Sequence, residues 1–295
     1  MRKLLTFVIA LGVIAGAAGL WLTRPDRLPG TALAGVSAEA GRGEQLFWAG
    51  GCVSCHAAPG AEGEDKLILA GGMRLESPFG TFVSPNISSD PTHGIGAWSV
   101  DDLANAMLRG VSPEGAHYYP SFPYTSYARM SVQDIADLKA YLDTLPASDT
   151  PSAPHEMGFP FTIRRGIGLW KLLNLDPDWV MADPGDAVLE RGRFLVEGPG
   201  HCSECHTPRD GFGGLDTGNW MAGGPNPSGP GRIPSLLPDA LNWSATDIAY
   251  YLESGFTPDF DSAGGHMASV VSNMEKLPAA DREAIAAYIK ALPVN

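Results

Sequence analysis

Cysteine is scarce: the 295-residue chain holds four, too few for a disulfide-built scaffold. Basic residues are also outnumbered. Twenty Lys and Arg against 33 Asp and Glu leave a formal charge of −13. That balance argues against a nucleic-acid partner; it suits a basic or neutral one, or simply a solvated acidic surface. The sequence offers no Gly-rich phosphate loop, no serine in a nucleophile context and no carboxylate pair placed for acid–base work. Nucleotide-handling and common hydrolytic sites are therefore not expected. Long apolar runs are missing too, with one exception at the amino terminus. What the chain has in quantity is Gly, at 36, and Pro, at 25, so much of it should be loop. Its hydrophobic content of 44% is ordinary for globular material, and its length suggests about two domains.

The exception runs from Leu4 to Leu22, preceded by Arg2-Lys3 and followed by Arg24 and Arg27. It is about long enough to cross a bilayer, and no small-x-small cleavage site stands at its end. Ala32-Leu33-Ala34 could serve as one, but it lies beyond Arg24-Pro25. A retained transmembrane anchor is the expectation, and a removed signal, giving a soluble periplasmic protein, is the alternative.

The four cysteines fall into two pentapeptides, Cys52-Val53-Ser54-Cys55-His56 and Cys202-Ser203-Glu204-Cys205-His206. C-x-x-C-H is the attachment signature of c-type haem: each thiol adds to one vinyl group, and the histidine reaches the iron. A zinc site would need both pairs on one metal, and a thioredoxin-like pair would not need the histidine twice. Two covalently bound haem c groups are expected, with His56 and His206 as proximal ligands. Attachment takes place outside the bacterial cytoplasmic membrane, which places the body on the periplasmic face.

The chain also repeats itself. A helical stretch from Glu39 to Phe47 leads into Cys52, and another from Asp186 to Val196 leads into Cys202. Each carries a glycine, Gly43 or Gly192, where a second helix could cross closely. Trp98-Ser99 with Asp102 and Trp243-Ser244 with Asp247 read as capped helix starts, closed by Gly110 and Gly255. The terminal helices, Ser131 to Leu145 and Ala279 to Leu292, carry stripes of Ile135, Leu138, Tyr141, Leu142 and Leu145, and of Ile285, Tyr288, Ile289 and Leu292. The offsets between the copies are 150, 145 and 147 at Cys52, Trp98 and Tyr141, so an internal duplication accounts for them. The expected organisation is anchor and tether over 1–37, a first unit over 38–146, a connector over 147–184 and a second unit over 185–295. Within the connector, Ile163 to Leu173 reads as a short basic amphipathic helix. It would act as a strap between the units or as a contact with membrane or a redox partner.

In this order the motifs resemble the class I cytochrome c fold, twice over: mainly α, two tandem domains behind a transmembrane helix. Pro78-Phe79-Gly80-Thr81-Phe82, Gly94-Ile95-Gly96-Ala97-Trp98-Ser99, Tyr119-Pro120-Ser121-Phe122-Pro123-Tyr124 and His201 to Arg209 resemble the multihaem cytochrome c subunits of bacterial alcohol, gluconate and aldehyde dehydrogenases. Gly264 to Val271 resembles the family's methionine loop, which implies Met267 as distal ligand of the second iron, with His266 its neighbour and rival. For the first iron, Phe122 stands where many relatives offer methionine. Met130 is then the nearest thioether, with His117, Met107, Met73 or an open iron as alternatives. Arg74 and Arg209 are candidates to pair with haem propionates. The resemblance implies an electron-transfer subunit more than a catalyst in its own right. It would take electrons from a periplasmic dehydrogenase and pass them to a soluble cytochrome or terminal oxidase. The alternative is a dihaem enzyme of thiosulfate dehydrogenase or peroxidase type, with reactive iron in the first unit.

Overall fold

The computed structural model describes residues 1–226 and 229–293; residues 227, 228, 294 and 295, including the last two of the expected second unit, lie outside the described residues. The apolar amino-terminal run is one continuous helix, α1 (Arg2–Leu22), none of whose side chains is buried. It is long and apolar enough to cross a membrane. The tether that follows is docked rather than free. Arg27 reaches Asp101 and Asp102 at 2.9 and 3.4 Å, and the Leu28 N–H donates to Asn105 Oδ1 at 2.8 Å.

The first half contains α2 (Ala40–Ala49), α3 (Cys52–His56), α4 (Val100–Arg109), α5 (Tyr124–Tyr127) and α6 (Val132–Leu142). After the connecting helix α7 (Arg165–Asn174) come α8 (Ala187–Glu197), α9 (Ser203–His206), α10 (Ala245–Ser254), α11 (His266–Met274) and α12 (Ala279–Lys290). The caps follow the sequence closely. Ser99, Ser131 and Ser244 each accept from the N–H three residues on, and the aspartate there returns the bond to the serine N–H. Gly110 and Gly255 close α4 and α10 in the left-handed conformation.

In each half the first helix crosses the last with backbone nearly touching backbone. A Cβ at Gly43 would lie 1.9 Å from the Asp137 carbonyl oxygen, and one at Gly192 would lie 2.1 Å from that of Ala284. Around the first crossing cluster Leu46, Phe47, Leu103, Ile135 and Leu138; around the second, Leu195, Val196, Ile248, Ile285 and Tyr288. Trp48 and Phe194 pack against both clusters, so the two adjoin.

A small sheet was not foreseen. β1 (Arg74–Ser77) and β2 (Gly80–Val83) form a hairpin, and the connector adds β3 (Glu156–Met157) antiparallel to β2. The pairings are too short to leave a hydrophobic period in the sequence. They are fixed at a distance, by the Arg74–Glu156 ion pair at 2.6 Å and by His155 Nδ1 accepting from the Val83 N–H. A second two-stranded piece, β4 (Gly224–Pro225) with β5 (Arg232–Ile233), lies in the loop after α9.

Asp137 ties α2 to α6 with its carboxylate 1% exposed. Burial alone would raise its pKa, but hydrogen bonds from Arg42, the Glu39 N–H and Gln133 prevail and hold it below the ordinary carboxylate range. A depressed carboxylate stabilises the fold above its unfolded-state pKa of about 4 and ceases to do so as pH falls through the lower folded value. The melting temperature is therefore expected to drop below about pH 4 in the parent and less steeply in Asp137→Asn, as calorimetry across that range would measure.

Candidate haem sites

Each C-x-x-C-H motif is one tight helical turn. Gly51 enters α3 at φ 57°, in the left-handed region. Cys52, Cys55 and His56 then fall at helical i, i+3 and i+4, on one face. In the second copy the position of Gly51 is held by His201, left-handed at φ 38°, and Cys202 precedes α9. A non-glycine residue there is strained. The His201 ring is held by two groups of the first half, the Gly50 carbonyl at 3.3 Å and the Tyr127 ring at 5.8 Å. His201 opens one of the stretches that carry the family resemblance, but residue type gives no sign of its left-handed backbone.

The two histidines are presented alike. His56 Nδ1–H donates to the Pro85 carbonyl at 2.8 Å, and His206 Nδ1–H to that of Pro234 at 2.9 Å. Each bond fixes the tautomer and leaves Nε2 with its lone pair bare. Desolvation lowers both imidazole pKa values, outweighing the carbonyl contacts that raise them, so both rings are neutral donors at pH 7. Burial also pushes the Cys52 and Cys202 thiols up to about 12, so they are not thiolates at neutral pH. Among the described residues no three His, Cys, Asp or Glu side chains gather around one point. The donor set therefore fits two separate haem c groups, each with two thiols and one imidazole, and does not fit zinc.

The motifs meet across the two halves. Ser54, inside the first, accepts from Asn273 of α11 at 2.8 Å. Glu204, inside the second, accepts from Thr125 at 2.7 Å and Ser126 at 3.1 Å, both on α5.

The other predicted residues are placed as follows. Met267 stands second in α11 and is half-buried. The expected loop is thus a helix, opened by Gly265 at φ 55° and seated on Val271 and Met274. His266 beside it is exposed. Met130 is 6% exposed within the first core, and its N–H bonds to the Tyr127 carbonyl. Leu277, 4% exposed, occupies the same place before α12, its N–H bonded to the Met274 carbonyl. Phe122 lies among Tyr118, Tyr124 and Tyr127 in edge-on ring contacts. Met107 is buried in α4, and Met73 is half-buried. His117 has both nitrogens engaged: Nε2 with the Thr23 carbonyl at 2.9 Å and Nδ1 with Lys171 Nζ at 3.1 Å. It has no lone pair to offer iron. Burial pushes the Lys171 pKa down to about 7. Arg74 is paired with Glu156, and Arg209 with Glu204 at 2.5 Å, so both guanidinium groups already have carboxylate partners.

A family model described as cytochrome c matches residues 40–146. A diheme c-type cytochrome of Cereibacter sphaeroides is 60% identical over 99% of this chain and 99% of its own. The cytochrome subunit of fructose dehydrogenase from Gluconobacter japonicus is 33% identical over 86% of this chain and 52% of its own. The cytochrome c subunit of the quinone alcohol dehydrogenase from Gluconobacter oxydans is 36% identical over 85% and 54%. Of these dehydrogenase subunits the chain spans about half the length. With two haem-type turns presented alike and a full-length diheme relative, the chain belongs to the cytochrome c family, electron-transfer proteins that carry haem c.

Proposed function

We propose that the chain is a dihaem relay: two tandem class I cytochrome c units, over 38–146 and 185–295, joined by the connector 147–184 and held at the periplasmic face of the cytoplasmic membrane by residues 1–37. Cys52 and Cys55, and Cys202 and Cys205, would hold the two porphyrins, with His56 and His206 as proximal ligands and Met267 as the thioether on the second iron. When bound, haem c supplies one-electron oxidation and reduction, which would let the chain take electrons from a periplasmic dehydrogenase and deliver them to a soluble cytochrome or terminal oxidase. The residues do the positioning. Pro85 and Pro234 aim the imidazoles, and the Ser54–Asn273 and Glu204–Thr125 bonds keep one attachment turn against the other half.

The observation that carries this reading is the matched pair of Nδ1-to-proline bonds, which leave two bare Nε2 atoms in one chain. For the donor, the relatives named as dehydrogenase cytochrome subunits support a dehydrogenase without selecting its substrate. On the first iron Met130 is the proposed thioether. Its packing in the place of Leu277 makes carbon monoxide binding the discriminating measurement, since a five-coordinate iron binds it and a six-coordinate one does not.

The mass of the exported protein is expected to include two haem groups, and that of Cys202→Ser/Cys205→Ser a single one. Fewer than two on the parent chain would overturn the relay. Turnover of peroxide or thiosulfate by the isolated protein would replace it with the enzyme reading.

A further inference from the structure

α7 has two unlike faces. Inward, Gly168 lets the helix lie against the tether, for a Cβ there would stand 2.5 Å from the Thr23 carbonyl oxygen. One turn on, Lys171 Nζ donates to the Arg109 and Gly110 carbonyls at 2.7 and 2.6 Å. Outward, at the i, i+3 and i+4 positions of one stripe, stand Leu169, Leu172 and Leu173, exposed by 56, 57 and 81%. In the turn before the helix Phe159 and Ile163 are exposed as well, by 83 and 55%. Packing within the body does not account for an apolar surface of this size.

Two further observations say what covers it. The first is position. Arg165 donates to the Leu20 carbonyl and, at 3.0 Å, to Thr23 Oγ1, so α7 begins at the last turn of α1. There Arg24 stacks on Trp21 at 4.5 Å, a pairing suited to a membrane–water boundary. The second is charge. Residues 157–175 contain Arg164 and Arg165 and no carboxylate, in a chain of net charge −13, while Lys171 is turned inward. A basic, apolar-faced segment starting where an apolar 21-residue helix ends has the make-up of an interfacial helix on an anionic bilayer.

We propose that residues 159–173 lie in the headgroup layer of the bilayer that α1 crosses, with Phe159, Ile163, Leu169, Leu172 and Leu173 turned to the acyl chains. The inference rests on reading α1 as a retained anchor. It gives α7 a task beyond bridging the halves, because a helix fixed to both the surface and the body sets the attitude of the haem units to the membrane. A dehydrogenase or a second copy of the chain would be the other occupants of such a face.

The test uses the full-length holoprotein in native membranes, with a benzophenone-bearing residue in place of Leu173 and, separately, in place of Glu283, an exposed position on α12. Irradiation is expected to give a phospholipid adduct at 173 and none at 283. A protein adduct at 173, or equal lipid labelling at both, overturns the proposal. Carbonate washing after irradiation checks the anchor independently. Release of the chain defeats the anchor reading, while a lipid adduct formed at 173 before the wash still supports the surface contact.

Discussion

Gly192→Ala is expected to destabilise the second half by about 3 kcal/mol, the upper range for forcing extra volume into a packed contact. The new Cβ would stand 2.1 Å from the Ala284 carbonyl oxygen and 2.8 Å from Tyr288 Cβ, and backbone cannot rotate away as a side chain can. Moving α12 off α8 would also disturb what Tyr288 organises. Its hydroxyl donates to the fully buried Glu197 at 2.8 Å and accepts from Trp220 Nε1 at 3.0 Å. Glu197 in turn accepts from the Val180 and Met181 N–H groups at 2.7 and 2.9 Å. Loosening that carboxylate would leave a buried charge short of partners. Gly41→Ala, in α2 with nothing within 4 Å, is the control and should be neutral or stabilising by up to about 1 kcal/mol. Urea unfolding of the holoproteins measures both, and equal midpoints for the two variants would show that the crossing tolerates a methyl group.

That crossing was visible in the sequence because it needs only a glycine at one place before each attachment motif. The capped helix starts were visible for a similar reason: Ser99 and Ser244 act on an aspartate three residues away. The attachment turns are more local still, with thiols and imidazole together in five residues. What escaped is settled at a distance. Arg27 meets Asp101 across 74 positions, and β3 joins β2 from the connector, neither leaving a period to read. The left-handed turn at His201 has no marker in residue type, although Gly51 at the equivalent position hints at it. The helix around Met267 is an exception, because its signal is local: Met267, Val271 and Met274 stand at helical spacing after Gly265, with no glycine or proline between.

Placing Met267 near the start of a helix sharpens its own test. A thioether on the second iron raises the potential and closes the site to small molecules. Met267→Ala is therefore expected to lower one midpoint potential by on the order of 0.1 V, a fraction of the roughly 0.8 V that axial ligation spans. The same variant should bind carbon monoxide at one haem, while the other keeps its parent titration. The fold should survive, since Met267 is half-buried outside the second core and helix propensity favours alanine. Met274→Ala separates ligation from packing. Met274 is 4% exposed within that core, so its loss should cost about 2–5 kcal/mol of stability and leave both potentials near the parent values. Redox titration of the two variants decides between them. If Met267→Ala leaves both haems titrating as in the parent, Met267 does not touch iron, and His266, exposed beside it, becomes the residue to replace next.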